Sequence, residues 1–185
     1  MIKKCVGWFF GLAAAFAVFQ QPVLAANCAA EKYVATAGLA ITKAARNGSP
    51  AEFANVTGQY TDIGEIAMFA LGKHRSKLPD AMRTEYVALT KDFIGRFMAE
   101  HAARFNGEGV KIVECRERSN KLYVTARLLE GKLVKFRLIY AGQKFIIEDL
   151  NVAGIWLSQQ LRSTFVDVIS KNKGDINALM KYLRA

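Results

Sequence analysis

The sequence predicts an α+β fold: helices first, then a four-stranded antiparallel sheet covered on one face by helices, then helices again. Three observations predict it. Up to about residue 105, apolar residues recur every three or four positions. From Gly109 to Val152 the period drops to two, with turns too short for a crossover. From Trp156 onward the helical period returns.

The first 25 residues read as a leader. Lys3 and Lys4 form a positive start, Val6 to Phe19 is apolar, Gln20-Gln21-Pro22 breaks the run, and Val23-Leu24-Ala25 fits signal peptidase. The apolar run falls short of the ~20 residues a spanning helix needs. Asn27 is not the small residue that lipoprotein processing wants before a cysteine, so Cys28 reads as unlipidated. Cleavage after Ala25 leaves residues 26–185 as one domain, with no linker or repeat.

Ala29 to Arg46 is the first predicted helix, with Tyr33, Ala37, Ala40, Ile41 and Ala44 on one side and Asn47-Gly48 at its end. Ser49-Pro50-Ala51-Glu52 is a capping box with proline at the first helical position. Asp62 to Leu71 (DIGEIAMFAL) is a short apolar helix stopped by Gly72. Pro79 opens the longest helix, whose face runs through Met82, Tyr86, Leu89, Phe93, Phe97 and His101 or Phe105. Asn106-Gly107 closes it.

Four strands follow, VKIVECRER, KLYVTARLLE, KLVKFRLIY and KFIIEDLNV, joined at Ser119-Asn120, Glu130-Gly131 and Ala141-Gly142. Leu122, Val124, Ala126 and Leu128 share one face of the second strand, and Val134, Phe136, Leu138 and Tyr140 one face of the third. Arg127, Lys135 and Arg137 point the other way. At Gly154 the chain is expected to pass from strand to a helix whose first turn holds Ile155, Trp156 and Leu157. That helix carries Leu161, Phe165, Val168 and Ile169, and Asp175 caps a last short helix to Leu183.

Charge and cysteines narrow the partners. The formal net charge is +10, and two positive charges leave with Lys3 and Lys4. A basic exported protein meets anionic lipid or acidic protein faces rather than nucleic acid, or is simply a soluble protein that happens to be basic. Arg116, Arg118 and Lys121 lack the aromatic ladder that single-stranded nucleic acid favours. Without the leader, Cys28 and Cys115 remain, and an oxidising compartment suggests one disulfide between them. In the chain-entropy picture it contributes at most about 4–5 kcal/mol. The alternative is a small buried Cys115 and a loose thiol at Cys28.

Little here points to catalysis. His74 and His101 share no spacing with each other or with a cysteine, and there is no phosphate-binding glycine loop and no zinc pattern. Glu148 and Asp149, as strand neighbours, should face opposite ways. What stands out is apolar surplus: the sheet face, the long-helix stripe, DIGEIAMFAL and Ile155-Trp156-Leu157 all want burial. They either fill one another or surround a guest, and composition does not separate the two.

GQYTDIGEIAMFALGKH, ARFNGEGVKIVE and FIIEDLNVAGIWLSQQLRSTFVDVISKNKGDINALMKYL together resemble the MlaC/toluene-tolerance family of periplasmic phospholipid-binding proteins, over nearly all of residues 26–185. Phe145, Ile147, Asp149, Val152, Gly154, Ile155, Leu157, Arg162 and Phe165 match the family pattern in register. Trp156 stands where that pattern has serine, Gln160-Leu161 where it has Asn-Tyr, and the loop after Ala70-Leu71-Gly72 lacks an arginine-tryptophan pair.

The resemblance implies a twisted sheet with an apolar lipid cavity between it and the helices, the headgroup staying near solvent. The implied cavity wall is Ile63, Ile66, Ala67 and Ala70 of the short helix, with Phe93 and Phe97 of the long one. The sheet would add Leu122, Val124, Ala126, Phe136, Leu138, Tyr140 and Ile147, and the last segment Ile155, Trp156, Leu157 and Phe165. Lys73, Arg75 and Lys77 are either basic residues near the mouth that attract phosphate or an acidic partner, or simply solvated loop charges. The implied protein is a monomer that carries phospholipid as cargo, without a cofactor, metal or catalytic residue. It would work between an outer-membrane lipoprotein/porin complex and an inner-membrane ABC lipid transporter. A hopanoid or other polycyclic cargo, and a ligand-free periplasmic adaptor, are the alternatives. A small isomerase or dehydratase would need an acid or base aimed inward, and only Tyr140 offers itself.

Overall fold

The computed structural model describes residues 29–104, 109–128 and 131–185. The expected leader, Cys28, the expected Asn106-Gly107 stop and Glu130 lie outside the described residues.

The chain begins with α1 (Glu31–Asn47), α2 (Pro50–Tyr60) and α3 (Ile63–Ala70). A 3-10 turn, Gly72–Lys77, leads into α4 (Asp80–Glu100), and a second, Ala102–Arg104, leaves it. The sheet follows as β1 (Val110–Arg118), β2 (Lys121–Leu128), β3 (Leu133–Ala141), β4 (Lys144–Val152) and β5 (Ile155–Trp156). The chain closes with α5 (Leu157–Lys171) and α6 (Ile176–Arg184).

Local chemistry accounts for the helix boundaries. The Ser49 hydroxyl accepts the Glu52 N–H at 3.3 Å, and the Asp62 carboxylate accepts the Glu65 N–H at 3.0 Å, each satisfying one orphan donor of a first turn. The capping box is one-sided, because the Glu52 carboxylate turns back to Asn47 Nδ2 at 2.9 and 3.0 Å. Helices α2 and α4 pack closely. A Cβ added at Gly95 would lie 2.3 Å from the Pro50 carbonyl and 2.9 Å from the Ala54 Cβ, so only glycine permits that approach.

The packing of α2 also rotates the buried face of α4. Tyr86, Thr90, Ile94 and Met98 form its buried ridge, whereas Phe93 and Phe97 of the expected stripe are half-buried beside it. Tyr86 is fully buried, and its hydroxyl donates to the Ala67 carbonyl at 2.8 Å. Burial pushes its phenol far above the usual value. Phe165 is also fully buried, edge-on to Tyr86 and Phe93 with centroids 6.4 and 5.4 Å away.

The strands run in the order β1-β2-β3-β4-β5, every neighbour antiparallel. The sheet therefore has five strands rather than the expected four. Ser119 and Asn120 take φ of 52° and 59°, as a two-residue hairpin requires. Ala153 and Gly154, at 53° and 87°, do the same between β4 and β5. Gly154 is thus a hairpin corner and not a strand-to-helix handover. Ile155 and Trp156 pair with Val152 and Asn151, so α5 begins only at Leu157.

Val124, Ala126, Val134, Phe136, Leu138, Ile147 and Leu150 are buried towards the helices, while Arg127 and Lys135 between them are exposed. Two bulges interrupt this alternation. One shifts the β1–β2 register between Ile112 and Glu114. The other pairs Arg137 with Asp149 but Leu138 with Ile147, leaving Glu148 as an extra residue of β4.

Candidate functional site

The apolar helix faces and the sheet meet around two adjoining cavities. The smaller, about 40 Å³, lies among Ile41 of α1, Val56, Thr57 and Tyr60 of α2, Ile66, Met98, Phe136, Ile147, Leu150 and Leu157. Asp149 and Ser158 give it one polar end, and Thr61 another polar group. The larger, about 240 Å³, opens among Phe97, Met98, Leu150, Val152, Ile155 and Leu157, with His101, Arg104 and Gln160 on its rim. Met98, Leu150 and Leu157 line both, so these three side chains are the partition between them.

The polar end is built by the β4 bulge. Asp149 is buried and accepts hydrogen bonds from the Leu150 N–H at 3.0 Å, the Ser158 N–H at 3.0 Å and the Ser158 hydroxyl at 2.5 Å. It therefore caps the first turn of α5 from the neighbouring strand, a favourable place for a negative charge. Arg137 donates a fourth hydrogen bond to Asp149 at 3.2 Å and reaches Glu148 at 3.2 Å, so the extra residue puts both carboxylates on one guanidinium, contrary to the strand rule. Lys121 completes the group, 2.7 Å from Glu148. Trp156 stacks on Arg137, 5.0 Å from its ring centroid.

A second anchor ties the connection between α2 and α3 to the sheet. Thr61 bridges Ile147 in parallel sense, and the Tyr60 carbonyl accepts the Tyr33 hydroxyl at 3.2 Å. Tyr33 stacks on Tyr60 and Phe145, with centroids 5.5 and 6.0 Å apart. Burial, with Tyr60 adding, pushes the Tyr33 phenol up.

Of the residues expected to wall a cavity, Ile66, Phe136, Ile147 and Leu157 line the smaller one, and Phe97, Ile155 and Leu157 the larger. Ile63, Ala67, Ala70, Val124, Ala126, Leu138 and Phe165 are buried in the core around them. Phe93 and Leu122 are half-buried against that core. Tyr140 is 62% exposed, because the alternation of β3 continues past the part that helices cover. It packs on Phe145 with centroids 5.0 Å apart. Trp156 is turned to the opposite face of the sheet, onto Arg137.

Sequence reasoning missed Ile41, Val56, Thr57, Tyr60, Thr61, Met98 and Leu150, and the Asp149–Ser158 pair. The acidic residue flanked by Ile146-Ile147 and Leu150 was the available signal. Lys73, Arg75 and Lys77 are exposed on their turn, which packs on α5 near Arg162 and Val166. The basic group on the larger cavity is Arg104. His74 points inward from the same turn, with both ring nitrogens buried and unbonded. Burial, with Lys77 and then Lys73 adding, holds its imidazole below the ordinary value. Cys115 is disulfide-bonded, and the pairing expected with Cys28 falls outside the described residues. Among the described residues no cluster of His, Cys, Asp and Glu could hold a metal ion, and no helix is long and apolar enough to cross a membrane.

The chain is similar in fold to a solved phospholipid-binding protein from Ralstonia solanacearum, in complex with a phospholipid. The TM-score is 0.69 at 20% identity, over 84% of this chain and 94% of that one. No curated protein matches it. The family model described as MlaC protein matches residues 35–185. The chain belongs to the MlaC family.

Proposed function

We propose that this protein is a periplasmic phospholipid carrier, exported by a leader at residues 1–25, with residues 26–185 as its single lipid-binding domain. The observation that carries this reading is the pair of apolar cavities separated only by Met98, Leu150 and Leu157, the larger open towards Arg104 and Gln160. Together they fall just short of the ~300 Å³ at which ligand clefts begin. Acyl chains would therefore enter by displacing the three partition side chains, while Arg104 and Gln160 offer donors to the phosphate. Family membership and the phospholipid held by the Ralstonia protein support the same reading.

Each methylene costs ~0.8 kcal/mol to expose to water, so a lipid needs an apolar wall comparable to the bilayer in order to leave it. A carrier supplies that wall without covalent chemistry, and no catalytic role or cofactor is assigned. Its route runs between the outer membrane and an inner-membrane ABC transporter, with an outer-membrane lipoprotein/porin complex as the second partner. It works as a monomer, and Cys115 pairs with Cys28.

Native mass spectrometry of the protein taken from periplasm without detergent, followed by solvent extraction, tests the reading. The expected result is a discrete adduct with the mass of a phospholipid. A hopanoid-sized adduct would move the cargo to polycyclic lipids. A clean apo mass that persists after incubation with vesicles would overturn the carrier and favour a ligand-free adaptor.

A further inference from the structure

We propose that the uncovered face of the sheet is a docking surface for an anionic lipid bilayer. The register sets Lys111 opposite Arg127 and Arg118 opposite Lys121 on this face, and Lys135 lies on it opposite Thr125. Like charges directly opposed across an antiparallel pair are destabilising, so the fold carries a standing cost to keep them.

The carboxylates on the same face do not offset them. Glu114 is paired with Arg116 and Glu148 with Lys121 and Arg137, while Asp149 is buried at the cavity end and bonded to Arg137 and Ser158. Among the described residues, Lys111, Arg118, Arg127 and Lys135 have no carboxylate partner, and all four are exposed.

The shape of the charge selects the partner. These cations are spread over three adjacent strands, about 4.8 Å apart, rather than gathered round a groove. A protein partner would want a buried aromatic anchor at the centre. The aromatic side chains on this face, Tyr123 opposite Arg116 and Arg137 and Trp156 against Arg137, are half-buried among the cations and offer no fully exposed anchor. An array of solvated cations spread over one face instead matches the extended surface of anionic headgroups. The inference goes beyond the cargo reading and does not need it.

Sedimentation with phosphatidylglycerol/phosphatidylcholine vesicles, against pure phosphatidylcholine, tests it. The variant Lys111→Gln/Arg127→Gln/Lys135→Gln is compared with Lys73→Gln/Arg75→Gln/Lys77→Gln, which removes the same charge elsewhere. Each basic residue near such a surface contributes about fivefold in partitioning, so the sheet variant should lose on the order of a hundredfold. The control should bind like wild type, and added salt should weaken wild type. Lipid recovered from the sheet variant should match wild type, which separates this result from the cargo reading. Lys135→Glu alone, at an exposed position, should already weaken binding at least fivefold.

Wild type indifferent to phosphatidylglycerol would overturn the proposal. Equal losses in both triple variants, or none in the sheet variant, would do the same. Capture of an acidic protein by wild type that ignores vesicles would reassign the face to that partner.

Discussion

Ser158 donates twice to Asp149, from its backbone N–H at 3.0 Å and from its hydroxyl at 2.5 Å. The contact joins the middle of β4 to the first turn of α5 across the β5 hairpin, and its ends line the smaller cavity. Removing the carboxylate leaves a helix start uncapped and Arg137 short of one partner. Asp149→Ala should therefore cost about 3 kcal/mol, read as a fall in melting temperature of roughly 6–12 °C. An unchanged melting temperature would show that the junction is held by apolar packing alone.

Leu157 lines both cavities, and an indole there would fill the space between them. Leu157→Trp should reduce co-purified lipid per protein by at least half while the chain stays folded by circular dichroism. Undiminished lipid would place the cargo elsewhere. The exposed Tyr140 is the contrasting position. Tyr140→Phe should leave lipid content unchanged and alter stability by less than about 0.5 kcal/mol.

His74 gives the protein a pH dependence of definite sign. Its folded-state affinity for a proton is lowered, so the unfolded chain takes the proton first, near the ordinary value of about 6.5. The contribution of neutral His74 is present above that pH and is lost as pH falls towards the lower folded value. Urea midpoints should thus decline from pH 7.5 to 5.5. His74→Leu should flatten that decline, and it should not destabilise at neutral pH, because neither ring nitrogen has a hydrogen bond to lose. A slope that persists in the leucine variant would assign the effect to other groups.

Gly95 sets the spacing of α2 and α4. Since an added Cβ would meet the Pro50 carbonyl at 2.3 Å, Gly95→Ala should cost about 1–3 kcal/mol despite alanine's better helix propensity. Equilibrium urea unfolding measures it, and a gain in stability would mean that the helices can separate freely.

The sequence carried most of the fold. Four long strands were legible because a period of two over nine residues is a strong pattern, and β4 was read at its observed bounds, Lys144–Val152. β5 was not, since two residues have no period and Gly154 serves equally as a hairpin corner or a helix boundary. Ile155 and Trp156 were assigned to the helix for that reason. On α4 hydrophobicity pointed to Phe93 and Phe97, but closeness of approach decided burial. Small Gly95 lets α2 in against α4, and Ile94 and Met98 beside it are buried.

The cavity was less legible than the fold. Its floor at Phe136 and Ile147 follows from strand alternation, but Thr57, Thr61 and Ser158 are polar and escape any search for apolar stripes. Glu148 and Asp149 were expected on opposite sides, and a single inserted residue brings them together. A bulge changes the parity of everything after it, and composition leaves no trace of that change.

The sheet is open at β1 on one side and reaches only the two residues of β5 on the other. Such edges are templates on which a stranger's strand can add, and in a crowded compartment that leads to aggregation. β1 answers with the bulge after Ile112, which breaks the ladder, and with Lys111, Arg116 and Arg118 along its length. At the far side Thr61 occupies Ile147 from the helical layer. The same cations that repel one another across the ladder also oppose the like charges of a second copy, so the open edge carries its own barrier to self-pairing.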